Sequence, residues 1–281
     1  MLRLAVLSSA VAFAAADQRY VSPVVPTGEA GGFCDGSGDG VWEKVWADEF
    51  DQDSLDNSTW TVDLQGGDSR VRNSQGTADN VYLEDGKLVL RSQKQVSGNY
   101  NYTSGAVQSQ DKRYWSGPTR ICVSAALPGG GVNGTVGGGQ GAGIWPAHWL
   151  MPNTDACWPT NGEIDIMEMI NGDGVLHGTY HWSNATCNDD HSAGDQTTMP
   201  RDWAVNYHEY AVEYTPEYVA FVVDGRVYKN VSSSKGMMYD VPWYVILNTA
   251  VGGTWPQPPA NTTVFPTYHR IDYVRVAQKK Q

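Results

Sequence analysis

Short stretches of alternating apolar and polar residues recur along the chain from Trp42 onward. Successive side chains of a β-strand point to opposite faces, so this alternation predicts strands with one buried face. The stretches are rich in Val, Tyr and Ile, as strands are, and they are KLVLRSQ (87–93), TRICVSAAL (119–127), HGTYHW (177–182), HEYAVEYT (208–215), YVAFVVDGRVY (218–228), WYVILNTAV (243–251) and RIDYVRVAQ (270–278). Asp-Gly pairs at 85–86 and 224–225 predict hairpin turns. Because no window has a helical apolar period, we expect an all-β fold, a jelly-roll sandwich of two antiparallel sheets.

Three segments fall outside this pattern. Residues 1–16 contain one Arg, then an apolar run that ends in Ala-x-Ala, which is typical of a secretory signal peptide. A membrane anchor is the alternative, but the run is too short to span a bilayer. Residues 17–40 are rich in Pro, Gly and Ser and predict an irregular lead-in to one domain over 41–281. We interpret the Gly-rich stretch 128–143 as a loop within that domain rather than a linker between two, since similar strands flank it.

The composition favours a secreted protein with a neutral polymer as its partner. The formal net charge of −12 argues against a polyanion such as nucleic acid. Only 18% of the residues are charged, whereas the chain has 11 Trp and 15 Tyr. Six N-glycosylation sequons suggest a secreted eukaryotic glycoprotein; they are Asn57, Asn101, Asn133, Asn184, Asn230 and Asn261. We expect a monomer located outside the cell, with no nucleic-acid or membrane partner.

The cysteines predict two disulfide bonds. Cys34, Cys122, Cys157 and Cys187 are even in number and lack the CxxC spacing of many metal sites. Four cysteines allow three pairings. Cys157 and Cys187 flank one pair of predicted strands, so we favour Cys157–Cys187 and, with it, Cys34–Cys122.

The stretch NGEIDIMEMING (161–172) carries the candidate chemistry. Glu163 and Asp165 are two residues apart and share one face of a strand, whereas Glu168 would point to the other face. A β-bulge at Met167 or a neighbour would restore the phase and place all three carboxylates on one face. Two carboxyl groups about 5–5.5 Å apart are what a retaining glycosidase needs. The spacing therefore predicts a bulged catalytic strand.

On this interpretation the three carboxylates have different roles. Glu163 is the nucleophile, Glu168 is the acid and then the base, and Asp165 bonds to Glu163 and tunes the charge of the site. The alternatives are a solvated acidic edge strand or a Ca²⁺ site. Apolar residues on the other face argue against an edge strand, and the lack of an Asp/Asn-rich loop argues against Ca²⁺.

Longer motifs give the chain a resemblance to a known family. GIWPAHWLMP (143–152), followed by GEIDIMEMI (162–170), resembles family 16 glycoside hydrolases in the laminarinase, or endo-β-1,3-glucanase, branch. That branch has the signature E-[IL]-D-[IVF]-[MV]-E, whereas the lichenase branch reads E-I-D-I-E without the extra residue. Further similar segments are DEFDQDSLDNSTW (48–60), LEDGKLVLRSQ (83–93), YHEYAVEYTPEYVAFVVDGRVY (207–228), VILNTAVGGTWP (245–256) and IDYVRV (271–276). The resemblance implies a jelly roll with a concave substrate cleft that hydrolyses β-glucan with retention and without a catalytic cofactor.

The resemblance also suggests which residues bind sugar. It implies that Trp145 and Trp149 lie in the cleft near the cleaved bond, and that His181 occupies the position of a cleft histidine. Flat aromatic rings suit sugar faces and polar groups suit hydroxyls, so Trp255, Trp115 and Asn248 are further candidates. The segment RVRNSQGT (70–77) loosely resembles a family segment that lines sugar subsites, and this resemblance adds Asn73. Core or sheet packing is the alternative for these tryptophans and for Asn248, and a structural role is the alternative for His181. We interpret His148 and His177 as structural.

Two other features concern the rest of the domain. The family often holds a structural Ca²⁺ on its convex side, and the matching positions are Glu49 and Asp272. The chain departs from the family in SGPTRICVSAALP (116–128), where Cys122 and Ser124 stand in place of Glu and Arg.

Three functions compete at this point. The first is an endo-β-1,3-glucanase acting on laminarin-type or mixed-linkage glucan. The second is a transglycosylase of wall remodelling, which uses the same intermediate with a sugar acceptor. The third, a non-catalytic β-glucan-binding protein, is disfavoured because Glu163 and Glu168 are both present.

Overall fold

The computed structural model describes residues 32–36, 40–64, 74–131, 134, 136–183, 186–187, 189–232 and 240–280. The predicted signal peptide, most of the lead-in, Asn73 and the sequons at Asn133 and Asn184 lie outside these ranges. No helix among the described residues has both the length and the apolar character needed to cross a membrane.

The described residues form seventeen strands and one short 3₁₀ helix, Ala78–Asn80. The strands are β1 Trp42–Asp48, β2 Thr61–Val62, β3 Ser74–Gly76, β4 Val81–Glu84, β5 Lys87–Gln93, β6 Tyr102–Ser104, β7 Ala106–Gln108, β8 Thr119–Ala126, β9 Ile144–Pro152, β10 Glu163–Glu168, β11 Val175–Trp182, β12 His191–Thr198, β13 His208–Tyr214, β14 Tyr218–Val223, β15 Arg226–Ser232, β16 Trp243–Val251 and β17 Thr267–Lys279. The predicted jelly-roll sandwich is thereby confirmed.

The strands form two packed sheets. The ten-stranded sheet has the order β15-β14-β13-β8-β17-β5-β6-β3, with β1 paired to β17 and β4 paired to β5. The seven-stranded sheet has the order β12-β11-β10-β9-β16-β7-β2, so the candidate catalytic strand β10 lies well inside it. Pairing among the described strands is antiparallel except for the short β3–β6 pair. The inner faces of both sheets bury one core, whose largest side chains include Trp60, Trp203, Trp243, Tyr180 and Tyr210.

The alternating stretches become strands as predicted, and the turn residues agree with the sequence. Asp85 and Gly86 have φ of 53° and 69°, and Asp224 and Gly225 have 49° and 71°. Both central residues of such two-residue hairpin loops need positive φ, which Asp-Gly tolerates. Strand β12 was not predicted, because its sequence HSAGDQTT is polar and it lies at the exposed edge of its sheet.

Both disulfide pairings are confirmed. Cys34–Cys122 is buried on the outer face of the ten-stranded sheet, where it packs with Trp42, Ala211 and Ala277. Strand β8 is therefore buried on both faces, which explains why a Cys suits a position that the family fills with a polar residue. Cys157–Cys187 joins the β9–β10 connection to the β11–β12 connection.

The two predicted calcium ligands, Glu49 and Asp272, each form an ion pair with a different basic residue. Glu49 forms a bidentate ion pair with Arg275, with Nε–Oε1 and Nη2–Oε2 distances of 2.8 Å each. Asp272 pairs with Lys87, with an Nζ–Oδ1 distance of 2.6 Å. Each carboxylate is thus paired with its own basic side chain, and the Ca²⁺ site at these two residues stays a prediction.

Candidate active site

A β-bulge in β10 sets the geometry of the site. Asp165 pairs with Trp149 of β9, but the next paired position is Met167 with His148, so the register shifts between them. On the other side, Asp165 pairs with Thr179 and Glu168 with His177, which leaves two residues of β10 opposite Gly178. The predicted bulge is confirmed.

The bulge separates the carboxylates from the apolar residues of the same strand. Ile164, Ile166 and Met167 are at most 1% exposed and belong to the core. Glu163 and Glu168 are partly exposed and Asp165 is 4% exposed. The extra residue therefore turns two consecutive side chains inward and brings Glu168 back into phase with Glu163 and Asp165.

A glycine on the neighbouring strand makes room for this arrangement. A Cβ on Gly178 would clash with the Tyr228 hydroxyl and lie 2.7 Å from the Phe221 ring. These rings lie on β14 and β15 of the opposite sheet and face Gly178 across the core. Glycine is thus needed at the position that faces the two bulged residues.

Glu163 lies between a hydrogen-bond donor and another acid. The Trp158 Nε1–H donates to Glu163 Oε2 at 2.5 Å. Burial and the adjacent Asp165 carboxylate raise the pKa of Glu163 well above its ordinary value, whereas His181 and Trp158 favour its ionised form. Burial, then Glu168, raises the pKa of Asp165 to about 6. Such a pair retains one proton where two isolated carboxyl groups would have lost both.

His181 supplies the positive charge of the site. Its Nε2 lies 3.2 Å from Asp165 Oδ2 and its Nδ1 lies 2.9 Å from Asp190 Oδ1. Burial opposes the charge, but these two carboxylates outweigh it and raise the pKa of His181 to about 10. A protonated imidazole between two acids neutralises part of the negative charge around Glu163.

The same residues form a group with the spacing of a metal site. The nearest ligand atoms of Glu163, Asp165 and His181 lie within 4.8 Å of one another. A histidine that binds a metal must be neutral and must have a free ring nitrogen. Both ring nitrogens of His181 contact carboxylates, and its raised pKa favours the protonated form. The arrangement fits acid–base chemistry better than metal binding.

Glu168 has the properties of a general acid. Burial and the nearby Glu163 charge raise its pKa to about 7, although a hydrogen bond from Trp145 lowers it. The Trp145 Nε1–H lies 2.9 Å from Glu168 Oε1. A carboxyl group with a pKa near neutrality is protonated often enough to donate a proton and basic enough to accept one later.

Aromatic side chains continue from the carboxylates across the same face. Trp145 meets Trp255 edge to face at 5.2 Å between ring centroids, and Trp255 meets His177 in the same way at 5.2 Å. Trp255 is 40% exposed. The Trp149 Nε1–H donates to Asn248 Oδ1 at 2.7 Å, which fixes the indole of Trp149 beside Asp165. Exposed indole faces beside carboxyl groups are suited to stack on sugar rings.

The structure thus brings together the three predicted carboxylates and five of the predicted sugar-binding residues, which are Trp145, Trp149, His181, Asn248 and Trp255. Trp115 is different, because it is 8% exposed and packs on Trp46 at 5.3 Å in the core. Core packing explains Trp115, so its predicted role in sugar binding is wrong. His148 is structural as predicted, since it is fully buried and its Nε2 lies 2.9 Å from the Nε2 of His269.

Sequence reasoning missed three residues of the site. Trp158 and Asp190 lie in connections, where no alternation marks the direction of a side chain, yet they bond to Glu163 and His181. His177 pairs with Glu168 in the register and contacts Trp255, so it is not only structural. Its spacing of four from His181 was a usable signal, since residues i, i+2 and i+4 of a strand share a face.

Comparison with known proteins identifies the family. The sequence model of the family described as "Glycosyl hydrolases family 16" matches residues 68–275 of this chain. The chain belongs to this family. A β-glucanase from Rhodothermus marinus is 31% identical over 84% of this chain and 85% of its own length.

Solved structures of family 16 members agree with the fold. The catalytic domain of an endo-1,3-β-glucanase (laminarinase) from Thermotoga petrophila is 32% identical, with a TM-score of 0.74 over 85% of this chain and 99% of its own. A mutant of a non-specific endo-β-1,3(4)-glucanase, co-crystallised with 1,3-β-D-cellotriosyl-glucose, is 30% identical, with a TM-score of 0.71 over 85% of this chain and 95% of its own. The family match over residues 68–275 includes β10 and both strands beside it.

Proposed function

We propose that this protein is a retaining endo-β-1,3-glucanase that cleaves laminarin-type β-glucan by double displacement. The observation that carries the proposal is the bulge in β10, which presents Glu163 and Glu168 on one face with different partners. Glu168 has a donor, Trp145, and a pKa of about 7. Glu163 lies beside the Asp165–His181 pair, whose cation favours ionisation of Glu163.

In the first step, Glu163 attacks the anomeric carbon and Glu168 protonates the departing glycosidic oxygen. The product is a covalent glycosyl ester on Glu163 and a released sugar chain. Glu168, now ionised, then removes a proton from water, which attacks the ester and regenerates both carboxyl groups. Asp165 accepts a hydrogen bond from whichever neighbour carries the proton, and the charged His181 limits repulsion when Glu163 ionises.

The aromatic residues bind and orient the glucan. Trp145 and Trp149 project from β9 beside the carboxylates, and Trp255 extends the surface at the end occupied by Glu168. Asn248 offers its amide N–H groups to a sugar hydroxyl, because its Oδ1 is engaged by Trp149. A β-glucanase and a laminarinase among the similar proteins, and a glucan oligosaccharide co-crystallised with another, support a β-glucan as the substrate.

Two disulfide bonds, one of them exposed, support secretion to an oxidising compartment. We therefore keep the prediction of an extracellular enzyme with 1–16 as its signal peptide. The N-terminal residue and intact mass of protein secreted by a eukaryotic host, before and after reduction and alkylation, test this. A mature chain that begins near Asp17 is expected, and four free thiols would contradict the prediction.

The function is tested by following the products formed from laminarin, mixed-linkage glucan, agarose and carrageenan. An endo-glucanase gives oligosaccharides of mixed length from laminarin at early times, and Glu163→Gln should give none. Glu84→Gln is the matched control, since Glu84 is an exposed carboxylate on β4 of the other sheet. A wild-type protein that preferred agarose or carrageenan would refute the proposal.

The same products separate hydrolysis from glucan transfer. Hydrolysis shortens the chains and raises the reducing-end concentration, whereas transglycosylation yields products longer than the donor with no rise. A non-catalytic glucan-binding protein would bind laminarin and release nothing. Both acids and their partners are in place, which favours the enzyme over the binding protein.

A further inference from the structure

The disulfide Cys157–Cys187 lies at the rim of the candidate active site, and both of its cysteines are exposed. Cys157 belongs to the connection that leads into β10, and Cys187 to the one that follows β11. These two strands carry Glu163, Asp165 and His181. The crosslink therefore joins the two connections that border the catalytic carboxylates on one side.

Each connection supplies a hydrogen bond to the site from a residue close to its cysteine. Trp158, the residue after Cys157, donates to Glu163 Oε2 at 2.5 Å. Asp190, three residues after Cys187, accepts from His181 at 2.9 Å, and His181 reaches Asp165 at 3.2 Å. The Trp158 and His181 rings also lie 6.0 Å apart.

Apart from the bonds of Asn153 to Asp111 and Pro242, the other described hydrogen bonds of these connections lie within each connection. In the first connection, the Asn161 side chain donates to Thr154, and the Thr160 amide donates to the Cys157 carbonyl. In the second, the hydroxyl of Ser183 bonds to the backbone of Thr186. These bonds shape the turns but do not fix one connection against the other, whereas the disulfide does.

We propose that Cys157–Cys187 is a positioning crosslink for catalysis, which holds Trp158 on Glu163 and Asp190 on His181. The inference rests on the proposed function of Glu163 as the nucleophile. It gives the exposed disulfide a role different from that of Cys34–Cys122, which is buried on the opposite side of the sandwich. Cys34–Cys122 therefore serves as an internal control.

The first experiment reduces the exposed disulfide in the folded wild-type enzyme. Dithiothreitol gives two electrons and two protons to the disulfide, which becomes two thiols, and is itself oxidised to a cyclic disulfide. Alkylation and peptide mapping should find Cys157 and Cys187 labelled while Cys34 and Cys122 stay paired. A misplacement of about 1 Å in a catalytic site can cost about 100-fold, and we expect kcat/KM on laminarin to fall by about tenfold and to recover on reoxidation.

The pH profile distinguishes positioning from simple stabilisation. The titratable groups that face Glu163 are Asp165, Glu168, His181 and Tyr244. Trp158 favours the Glu163 carboxylate, and Asp190 favours the His181 cation, which in turn favours that carboxylate. Loss of both contacts raises the pH at which Glu163 ionises, so the acid limb of kcat/KM should move to higher pH. Loss of stability alone would reduce the amount of folded enzyme and leave the limb in place.

A second experiment removes the crosslink by substitution. Cys157→Ser/Cys187→Ser should lower kcat/KM by about tenfold, and Trp158→Phe/Asp190→Asn should give a similar loss. The combination of all four substitutions should be no worse than either pair, since the crosslink acts through those two contacts. Cys34→Ala/Cys122→Ala should lower the melting temperature and leave kcat/KM unchanged at a temperature where it is folded.

A third readout needs no turnover. The pKa of His181, followed by NMR, should fall when the exposed disulfide is reduced, because the imidazole loses the fixed Asp190 carboxylate. Unchanged kcat/KM and an unchanged His181 titration after verified reduction would overturn the proposal while leaving the glucanase function intact. A wild-type enzyme inactive on laminarin would refute the proposed function instead, and the titration would still decide whether the crosslink positions His181.

Discussion

Trp145→Phe should raise the pKa of the proposed general acid. The change keeps an aromatic ring but removes the N–H that donates to Glu168 at 2.9 Å. That bond favours the ionised form, so its loss moves the pKa of Glu168 upward from about 7. A hydrogen bond to a charged group contributes about 1.5–3 kcal/mol, and about 1.4 kcal/mol corresponds to one pH unit. Because Glu168 is partly exposed, we take the lower end, about one pH unit.

The assay is the pH dependence of kcat/KM on laminarin. The acid must be protonated to act, so activity falls as the pH rises through the pKa of Glu168, and the descending limb should move from about pH 7 to about pH 8. Trp149→Phe is the control, since its N–H donates to Asn248 and not to Glu168. The kcat/KM of Trp149→Phe should fall, but the descending limb of its pH profile should not move. A descending limb that stayed in place or moved to lower pH in Trp145→Phe would refute the reasoning.

Three further predictions test other parts of the site. Glu168→Ala should be inactive on laminarin, yet azide or an aryl glucoside with a good leaving group should restore turnover; no rescue in the folded variant would exclude the acid/base role. Trp149→Ala should lower kcat/KM by about fivefold or more, since a lost aromatic stack costs about 1 kcal/mol, and a melting-temperature loss without a kinetic loss would contradict this. Gly178→Ala should lower the free energy of unfolding by about 1–3 kcal/mol, because the added methyl group meets Tyr228 and Phe221; denaturant unfolding that matched the wild type would show that the bulge needs no glycine.

The sequence was sufficient where the physical cause is local. Strand alternation and the two Asp-Gly turns depend on neighbouring residues, and β5 and β16 have the bounds that their alternating stretches predicted. The bulge was also readable, because a five-residue spacing can place Glu163 and Glu168 on one face only if the strand gains a residue. The disulfide pairing followed from cysteines that flank one strand pair.

The sequence was insufficient where the environment of a residue depends on segments that are distant in the chain. The carboxylate of Glu49 meets Arg275, which is 226 residues away in the chain, so no local pattern could show that this charge is already paired. Trp115 is a core residue because Trp46 packs against its ring and its backbone forms a β-bridge with Trp243, and a tryptophan in a loop gives no sign of that. Trp158 and Asp190 reach the site through the conformations of two connections that a disulfide joins.

The central claim is that Glu163 forms a covalent bond with the sugar, and covalent trapping tests it most directly. A 2-deoxy-2-fluoro β-1,3-glucoside with an activated leaving group forms the glycosyl ester quickly and loses it slowly. Mass spectrometry of the digested enzyme should find one added glycosyl group on the peptide that contains Glu163, and NMR of a natural-substrate reaction should find the β-anomer first. An α-anomer formed first with no adduct, or a label on Glu168, would contradict the account.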